Sequence, residues 1–252
     1  MSQPITLITG GSRGLGRDMA LHLAASGHDL IITYQRQAEA AQAVVEAVQE
    51  QGRQAIALPL DVGDSEGFAE FASHLKQQLN DHWPGQMLTH LVNNAGMAGD
   101  AKLSECDAAT LDSLYNVHLK GSILLTQQLL PLLQDGGSIL NVSSGLARFS
   151  LPGYGPYAAM KGAVETVTKY WAKELGERGI RVNVLAPGAI ETDFGGGRVR
   201  DNAELNKIIA SQTALGRVGL PEDIGAVVSL LLSPAAHWIT GQRIEASGGM
   251  FL

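Results

Sequence analysis

Two side chains four positions apart, the phenol of Tyr157 and the ammonium of Lys161, are the best candidates for proton chemistry in this sequence. On a helix, residues at i and i+4 lie on one face, so both groups could reach a shared ligand. A free tyrosine has a pKa of about 10 and exchanges protons poorly at neutral pH. A fixed positive charge beside it lowers that pKa. The pair therefore predicts an acid–base centre, provided that other elements bring a substrate to it.

Short apolar runs alternate with longer segments of helical periodicity, which is typical of βαβ units. The predicted strands cover residues 5–9, 30–34, 55–60, 88–93, 138–142, 181–186 and 243–246. The predicted helices cover residues 14–26, 39–51, 65–82, 108–133, 156–177 and 221–233. Several strands are continuous Leu/Ile/Val runs, which suits strands covered on both faces. The pattern predicts an α/β fold: a doubly wound, Rossmann-like parallel sheet of about seven strands with helices on both faces.

The sequence contains no linker, repeat or low-complexity block, so we expect a single domain over residues 1–252. Ligands of such sheets bind beyond the carboxyl ends of the strands. Here those ends are residues 9–12, 93–96, 143–145 and 187–189. The segment 192–215 includes three consecutive glycines and has no clear periodicity. We predict that this segment is a mobile substrate loop over the site.

The first predicted strand runs into a glycine-rich turn, Gly10-x-x-x-Gly14-x-Gly16, and a helix follows at once. Glycines let the backbone approach a phosphate closely, and the helix N-terminus supplies N–H groups and positive potential. Because the turn directly follows the first strand of a βαβ unit, it predicts a nucleotide-binding site. A tight strand-to-helix turn without a ligand is the alternative interpretation.

The end of the second predicted strand indicates which nicotinamide cofactor is preferred. An NAD-preferring site usually has a carboxylate there, but this chain has Tyr34, Gln35 and Arg36. Arg13 in the glycine turn could join Arg36 in binding a 2′-phosphate. Asp61, after the third strand, is placed to accept a hydrogen bond from adenine or, alternatively, to cap the following turn. We therefore predict NADP(H) as the cofactor.

Composition and charge limit the possible partners. The formal net charge is -7 and no Lys/Arg-rich run offsets it, so we expect no nucleic-acid partner. The N-terminal residues lack a signal-peptide pattern and no apolar stretch is long enough to cross a bilayer, so we expect a cytoplasmic protein without a membrane partner. Cys106 is the only cysteine and the seven histidines lack metal-ligand spacing, so we expect no metal site.

Four motifs in a fixed order make nearly the whole chain resemble the short-chain dehydrogenase/reductase family. They are Thr9-Gly10-x-x-x-Gly14-x-Gly16, Asn93-Asn94-Ala95-Gly96, Tyr157-x-x-x-Lys161 and Pro187-Gly188. The closest branch resembles the 3-oxoacyl-acyl-carrier-protein reductase type, because residues 181–188 read Arg-Val-Asn-Val-Leu-Ala-Pro-Gly and residues 239–242 read Ile-Thr-Gly-Gln. The resemblance also implies a homotetramer.

The resemblance implies a catalytic set of Asn116, Ser144, Tyr157 and Lys161. Ser144 lies thirteen positions before Tyr157, as does the serine that polarises the carbonyl in this family, with Ser143 as the alternative. Asn116 matches an asparagine that holds a water behind the lysine, although a hydrogen bond at a helix kink is another interpretation. Lys161 would bind the nicotinamide ribose and lower the pKa of Tyr157.

The predicted cofactor site combines the glycine turn, the strand ends and the family motifs. In the family pattern, residues 93–96 border the adenosine and its ribose, and Ile190 and Thr192 hold the nicotinamide carboxamide. The complete predicted set is Gly10, Ser12, Arg13, Gly14, Leu15, Gly16, Tyr34, Arg36, Asp61, Val62, Asn93, Ala95, Gly96, Tyr157, Lys161, Pro187, Gly188, Ile190 and Thr192.

The helix that bears the catalytic pair should be rigid, since Pro156 suits its first turn. We expect its buried stripe to consist of apolar side chains. These are Met160, Ala163, Val164, Val167 and Trp171.

Together these features predict an NADPH-dependent oxidoreductase that transfers a hydride to a small-molecule carbonyl: a ketone, a diketone or a 3-oxoacyl thioester. Tyr157 would protonate the oxygen while Ser144 hydrogen-bonds to it. The alternatives are a 3-oxoacyl-acyl-carrier-protein reductase of fatty acid synthesis and a non-catalytic NADP(H)-binding sensor. An acidic carrier protein would need basic residues to dock on, and here they are scattered, at Arg198, Arg200 and Lys207.

Overall fold

A computed structural model describes residues 3–252, and its central feature is a sheet of seven strands that all pair in parallel. The strands are β1 (Ile5–Ile8), β2 (Asp29–Tyr34), β3 (Ala55–Pro59), β4 (Leu88–Asn93), β5 (Leu133–Val142), β6 (Arg181–Pro187) and β7 (Arg243–Ala246). Their order across the sheet is β3-β2-β1-β4-β5-β6-β7. The predicted doubly wound α/β fold is confirmed.

The α-helices are α1 (Gly14–Ala25), α2 (Ala38–Glu50), α3 (Phe68–His82), α4 (Ala108–Leu114), α5 (Gly121–Leu129), α6 (Gly155–Glu174), α7 (Arg198–Asp201), α8 (Ala203–Ser211) and α9 (Pro221–Leu232). None of the helices within residues 3–252 is both long and apolar enough to cross a membrane.

Two apolar cores cover the two faces of the sheet. On one face α1, α2 and α9 pack against the strands, for example Met19 of α1 and Val228 of α9 against Ile32. On the other face α3 and α5 do so, with Phe68 and Leu125 in the same core. Burial on both faces explains why the strands are continuous runs of aliphatic residues.

The segment 108–133, predicted as one helix, is interrupted. A π-helical turn covers Tyr115–Lys120 between α4 and α5, and the Gly121 amide donates to the carbonyl oxygen of Asn116, five residues earlier. A Cβ atom on Gly121 would meet the carbonyl oxygens of both Asn116 and Val62. The turn thus lies tightly against the chain that follows β3, and such π-turns occur frequently at functional sites.

The segment 192–215 contains more regular structure than its sequence predicts. A tight turn at Phe194–Gly197 leads into α7 and α8, and the three glycines at 195–197 all have φ between +63° and +75°. Only glycine adopts such values without strain, so the run is needed for the chain reversal. Pairs such as Arg198 with Asp100 and Asn206 with Glu191 attach the segment to its surroundings. Its mobility stays a prediction.

Candidate active site

Turns that follow four strands meet at the carboxyl edge of the sheet. Strand order reverses between β1 and β4, and the crevice at such a switch point is where ligands of open α/β sheets bind. The Asn94 side chain joins the two strand ends here, since its Nδ2 donates to the carbonyl oxygens of Thr9 (2.9 Å) and Gly10 (3.1 Å). The sequence predicts only that Asn94, with the rest of residues 93–96, borders the adenosine. Its place inside the Asn93–Gly96 motif was the available signal.

Asn93, predicted to border the adenosine, turns its side chain into the core instead. Its Nδ2 donates to Thr126 Oγ1 (3.0 Å) and Asn141 Oδ1 (2.9 Å), and Asn141 in turn donates to Thr168 (2.9 Å). Successive residues at a strand end point to opposite sides, so Asn93 faces inward where Asn94 faces the turn. Only the backbone of Asn93 is left to face the cofactor edge.

The glycine turn has the geometry that a dinucleotide phosphate requires. Gly10 and Gly14 have φ of +67° and +53°, and a Cβ atom on Gly16 would meet the carbonyl oxygen of Gly10. Among the described residues, no side chain caps the N-terminus of α1 and its first turn carries no acidic residue. The exposed N–H groups and the helix dipole can therefore bind an anion. Ser12 and Leu15 lie half-buried in the same turn.

Arg13 and Arg36 are exposed near the ends of β1 and β2, as a 2′-phosphate site requires. The Arg13 guanidinium is paired with the carboxylate of Asp193 at 2.8 Å. Asp61 accepts hydrogen bonds from the Gln35 side chain (2.7 Å) and from the backbone N–H of Gly63 (2.8 Å). Asp61 therefore stabilises its own turn and leaves the cap of the next helical turn to another residue.

That cap is the side chain of Asp64, which accepts from the Glu66 amide at 3.1 Å. Tyr34 is half-buried at the end of β2. Val62 lies between these carboxylates and the π-turn, where its carbonyl oxygen faces Gly121.

Tyr157 and Lys161 lie on the buried face of α6, with 7% and 5% of their surface exposed. Val164 and Thr168 continue that face, so the helix packs with its catalytic side against the sheet. Of the predicted apolar stripe, Val164 is buried and Trp171 is half-buried but packs against the core, whereas the other three residues are only half-buried. Lys161 Nζ donates to the carbonyl oxygen of Val142, at the end of β5, at 2.8 Å.

Burial controls the proton chemistry of the pair. It raises the pKa of Tyr157 to about 12, against the lowering effect of the Ser144 hydroxyl, and Tyr154 raises it further. Burial also lowers the pKa of Lys161 to about 8. The expectation that Lys161 lowers the pKa of Tyr157 is wrong for this structure. The Lys161 Nζ atom lies 5.7 Å from the Tyr157 ring centre and its hydrogen bond goes to the backbone.

The two serines at the end of β5 have different environments. The Ser143 hydroxyl is buried and donates to the carboxylate of Glu165 at 2.7 Å. The Ser144 hydroxyl is half-buried, accepts from the Leu146 amide at 3.2 Å, and lies close enough to Tyr157 to lower its pKa. The geometry therefore favours Ser144 over Ser143 as the group that polarises a substrate.

Asn116 and a histidine that the sequence interpretation had set aside share the π-turn. Asn116 is half-buried and its carbonyl oxygen accepts the π-type hydrogen bond from Gly121. Two residues later, the His118 ring meets the Tyr157 ring edge to face, with ring centres 5.2 Å apart and planes at 89°. The sequence gives no local signal for this contact, because it joins α6 to a turn almost forty residues earlier.

The residues predicted for the nicotinamide end follow β6. Gly188 packs so closely on Ser247 that a Cβ atom would lie 2.9 Å from it, and Ile190 pairs with Gly219. Thr192 is buried 3.6 Å from the position that a Cβ atom would take on Gly14. The turn after β6 therefore reaches the glycine turn across the crevice.

Residues 3–252 contain no group of three or more His, Cys, Asp or Glu side chains arranged to hold a metal ion. The chemistry available at the crevice is that of a phenol, a hydroxyl and an ammonium beside a phosphate-binding turn. These features are typical of a nucleotide-dependent oxidoreductase.

Comparisons with known proteins agree with this class. A family model described as enoyl-(acyl carrier protein) reductase matches residues 10–251. The 3-oxoacyl-[acyl-carrier-protein] reductase FabG of Staphylococcus aureus is 36% identical over 248 residues, covering 98% of this chain and 97% of its own. The chain belongs to the short-chain dehydrogenase/reductase family.

Two solved structures extend the comparison. The promiscuous reductase LugOII, which catalyses keto-reduction at C1 during lugdunomycin biosynthesis, has a TM-score of 0.93 at 36% identity, covering 99% of this chain and 98% of its own. The angucycline C-6 ketoreductase LanV with bound NADP has a TM-score of 0.93 at 33% identity, covering 98% and 95%. The predicted class, an NADP(H)-dependent oxidoreductase of this family, is confirmed.

Proposed function

We propose that this protein is an NADPH-dependent reductase that transfers a hydride to a substrate carbonyl, with Tyr157 as the general acid. One observation carries the proposal: the Tyr157 phenol is buried beside the Ser144 hydroxyl and on the same helix face as the Lys161 ammonium. A phenol and a hydroxyl close to each other suit an oxygen that becomes negative as the reaction proceeds.

Tyr157, Ser144 and Lys161 each have a separate role in the proposed reaction. NADPH, when bound, supplies the hydride that adds to the carbonyl carbon. Tyr157 donates its proton to the carbonyl oxygen, and Ser144 donates a hydrogen bond to the same oxygen. With a pKa raised to about 12, Tyr157 holds its proton at neutral pH until negative charge develops on the substrate oxygen. Lys161 holds the nicotinamide ribose.

The cofactor side rests on the glycine turn and two arginines. The amides of the first turn of α1 bind the pyrophosphate, and Arg13 and Arg36 bind the 2′-phosphate that distinguishes NADPH from NADH. Asn94 holds the glycine turn in place through its bonds to Thr9 and Gly10. This assignment is supported by the NADP bound in LanV.

The substrate side favours an apolar ketone. The Phe194 side chain is 49% exposed and its ring centre lies 6.2 Å from that of Tyr157, so it offers an apolar surface beside the proton donor. Arg148 is paired with Glu245 at 2.7 Å and is not available as an anion clamp. The ketoreductase neighbours LugOII and LanV support a ketone or diketone substrate.

A carrier-linked thioester remains the narrower alternative, because FabG is a relative. Docking of an acidic carrier protein requires uncompensated positive charge near the site. Of the three basic residues in the segment 192–215, Arg198 is paired with Asp100 and Arg200 with Asp201, which leaves the exposed Lys207. This pairing favours the small ketone over the carrier protein.

A substrate screen tests the proposal. NADPH and NADH are compared side by side against ketones, diketones and 3-oxoacyl thioesters, both free and carrier-linked. We expect turnover of at least one ketone with a preference for NADPH. Turnover of carrier-linked thioesters alone would favour the FabG-type reaction. A lack of turnover with every substrate, together with tight NADPH binding, would favour the non-catalytic sensor.

Tyr157→Phe tests the role of the phenol. We expect turnover to fall by about 10³-fold or more while the Kd for NADPH stays within a few-fold, because only the proton donor is lost. Tyr170→Phe, on the exposed side of the same helix, is the matched control and should retain activity. Wild-type turnover in Tyr157→Phe would contradict the role of Tyr157.

A further inference from the structure

His118 is the titratable group nearest to the proton donor that the mechanism above leaves without a role. It is 2% exposed, and its ring meets the Tyr157 ring edge to face with centres 5.2 Å apart. An aromatic pair in this geometry restricts the orientation of both rings. His118 therefore defines one side of the space in which the phenol can move.

The same imidazole also contacts the loop that follows β4, on the side of the crevice where the cofactor would bind. In the tautomer that carries the proton on Nε2, this nitrogen donates to the carbonyl oxygen of Met97 at 2.9 Å, directly after the Asn93–Gly96 motif. The ring lies over Gly96 so closely that a Cβ atom there would be 2.9 Å from it. His118 thus contacts both the loop that follows β4 and the catalytic helix α6.

The other nitrogen of His118 argues against a purely structural role. Nδ1 is buried, and no donor from residues 3–252 reaches it. A buried acceptor without a partner destabilises the fold, so packing alone would favour an apolar ring at this position. Burial and the charge of Lys161 lower the pKa of His118 to about 3, so the ring is neutral throughout the working range. A neutral ring can orient its neighbours but cannot act as a cationic acid.

We propose that His118 is a positioning residue for the reduction: its ring holds the Tyr157 phenol in line with the substrate oxygen, and its Nε2–H fixes Met97 on the cofactor side. The alignment of the phenol matters only if Tyr157 is the proton donor, so this proposal rests on the proposed function. Misplacement of a catalytic group by about 1 Å can lower the rate by about 10²-fold. The two contacts have different consequences, so two variants can separate them.

His118→Gln retains a donor near the Nε2 position and removes the ring. We expect kcat to fall by about 10- to 100-fold, with the Kd for NADPH within about threefold of wild type, because the Met97 contact survives and the Tyr157 contact does not. His118→Phe retains the ring and removes the donor. We expect the opposite result: kcat stays within about threefold of wild type, and the Kd for NADPH rises by about fivefold or more.

His90 provides a matched control within the chain. It is also buried, its pKa is also lowered to about 3, and it bonds to Ser138 at 2.6 Å while stacking on His28. It lies within β4, away from Tyr157. His90→Gln and His90→Phe should lower the unfolding temperature. Neither variant should change one of kcat and the Kd for NADPH while leaving the other unchanged. By contrast, His118→Phe should unfold at about the wild-type temperature, since it removes the unpaired Nδ1.

A titration without substrate keeps this inference distinct from the proposed function. The absorbance difference between the wild type and Tyr157→Phe reports the ionisation of Tyr157 alone. The same difference is then measured with His118→Gln present in both proteins. Water can reach the phenol there, so we expect the Tyr157 pKa to fall from about 12 towards 10. The other groups that face the phenol, Lys161, Ser144 and Tyr154, are unchanged.

Two results would overturn the positioning role. One is a parallel change of kcat and Kd in both His118 variants. The other is behaviour matching the His90 variants, with lower stability only. If the wild type reduced no carbonyl at all, the proposed function would fail, while the titration and the NADPH Kd would still decide whether His118 contacts both sides of the crevice.

Discussion

At the scale of single residues, Tyr157 and Lys161 show how one environment shifts an acid and a base in opposite directions. Burial disfavours the charged form of each group, so the pKa of the phenol rises to about 12 and that of the ammonium falls to about 8. With these shifts the phenol still holds its proton at neutral pH. They also predict a measurable dependence of stability on pH.

Lys161→Met should remove a pH-dependent destabilisation. Folding lowers the Lys161 pKa from 10.5 to about 8, so the unfolded chain binds more protons between these values and wild-type stability rises with pH there. The stability of Lys161→Met relative to wild type should therefore fall by about 2 kcal/mol between pH 8 and pH 10. Urea unfolding at several pH values measures this difference. Lys169→Met, on the exposed side of α6, should show no such trend.

Ser143→Ala and Ser144→Ala should separate stability from activity. Ser144→Ala removes a donor to the developing oxyanion, so we expect kcat to fall by about 10²- to 10³-fold with little loss of stability. Ser143→Ala breaks the buried bond to Glu165 and should cost about 1 kcal/mol while leaving kcat within a few-fold. Steady-state kinetics and thermal unfolding of both proteins decide this. The opposite pattern would assign the catalytic role to Ser143.

At the scale of elements, the glycine turn and the segment 192–215 are joined across the crevice. The Arg13–Asp193 ion pair spans them at 2.8 Å, and Thr192 lies beside Gly14. The three left-handed glycines directly after Phe194 let the segment reverse beside Tyr157. The glycine turn and the segment 192–215 are therefore physically coupled, and a 2′-phosphate bound at Arg13 would compete with Asp193.

Asp193→Asn should strengthen NADPH binding selectively. Without the carboxylate, Arg13 is available to the 2′-phosphate. An exposed ion pair is worth up to about 1 kcal/mol, so the Kd for NADPH should fall by about two- to fivefold. The Kd for NADH should change less, as measured by nicotinamide fluorescence. Asp100→Asn breaks the Arg198 pair in the same segment and is the control. Equal strengthening for both cofactors would contradict a 2′-phosphate site at Arg13.

At the scale of the whole molecule, the strand order places the chemistry at one edge. The reversal between β1 and β4 brings the glycine turn, the Asn93–Gly96 turn and the end of β5 together. Large apolar side chains remain exposed elsewhere, among them Tyr170, 66% exposed on α6, and Tyr115 and Leu111 near the π-turn. Where such side chains lie together, they are typical of surfaces that other chains cover.

We predict a homotetramer, as the family resemblance implies. Sedimentation should give a mass four times that of the chain, and Tyr170→Asp should shift it to smaller species, because a charge within an apolar interface is costly. Lys169→Asp, at an exposed neighbouring position, tests whether any new carboxylate has the same effect. A monomeric wild type would contradict the prediction.

The sequence by itself determined the alternation of strands and helices, the glycine turn, and the Tyr157–Lys161 pair. These features are local: aliphatic runs, glycine spacing and i, i+4 spacing all appear within a few consecutive residues. For this reason β4 and β7 were predicted to the residue, and most other boundaries lay within a few positions. Family membership followed from the order of those same local motifs.

The tertiary structure decided what depends on contacts between distant segments. It placed Asn93 in the core and Asn94 on the glycine turn, interrupted the 108–133 helix at Tyr115–Lys120, and set His118 against Tyr157. It also made burial, and not the neighbouring ammonium, control the pKa of Tyr157. The extent of desolvation depends on every element packed around a group. No spacing along the chain could therefore have revealed the sign of the net pKa shift of Tyr157.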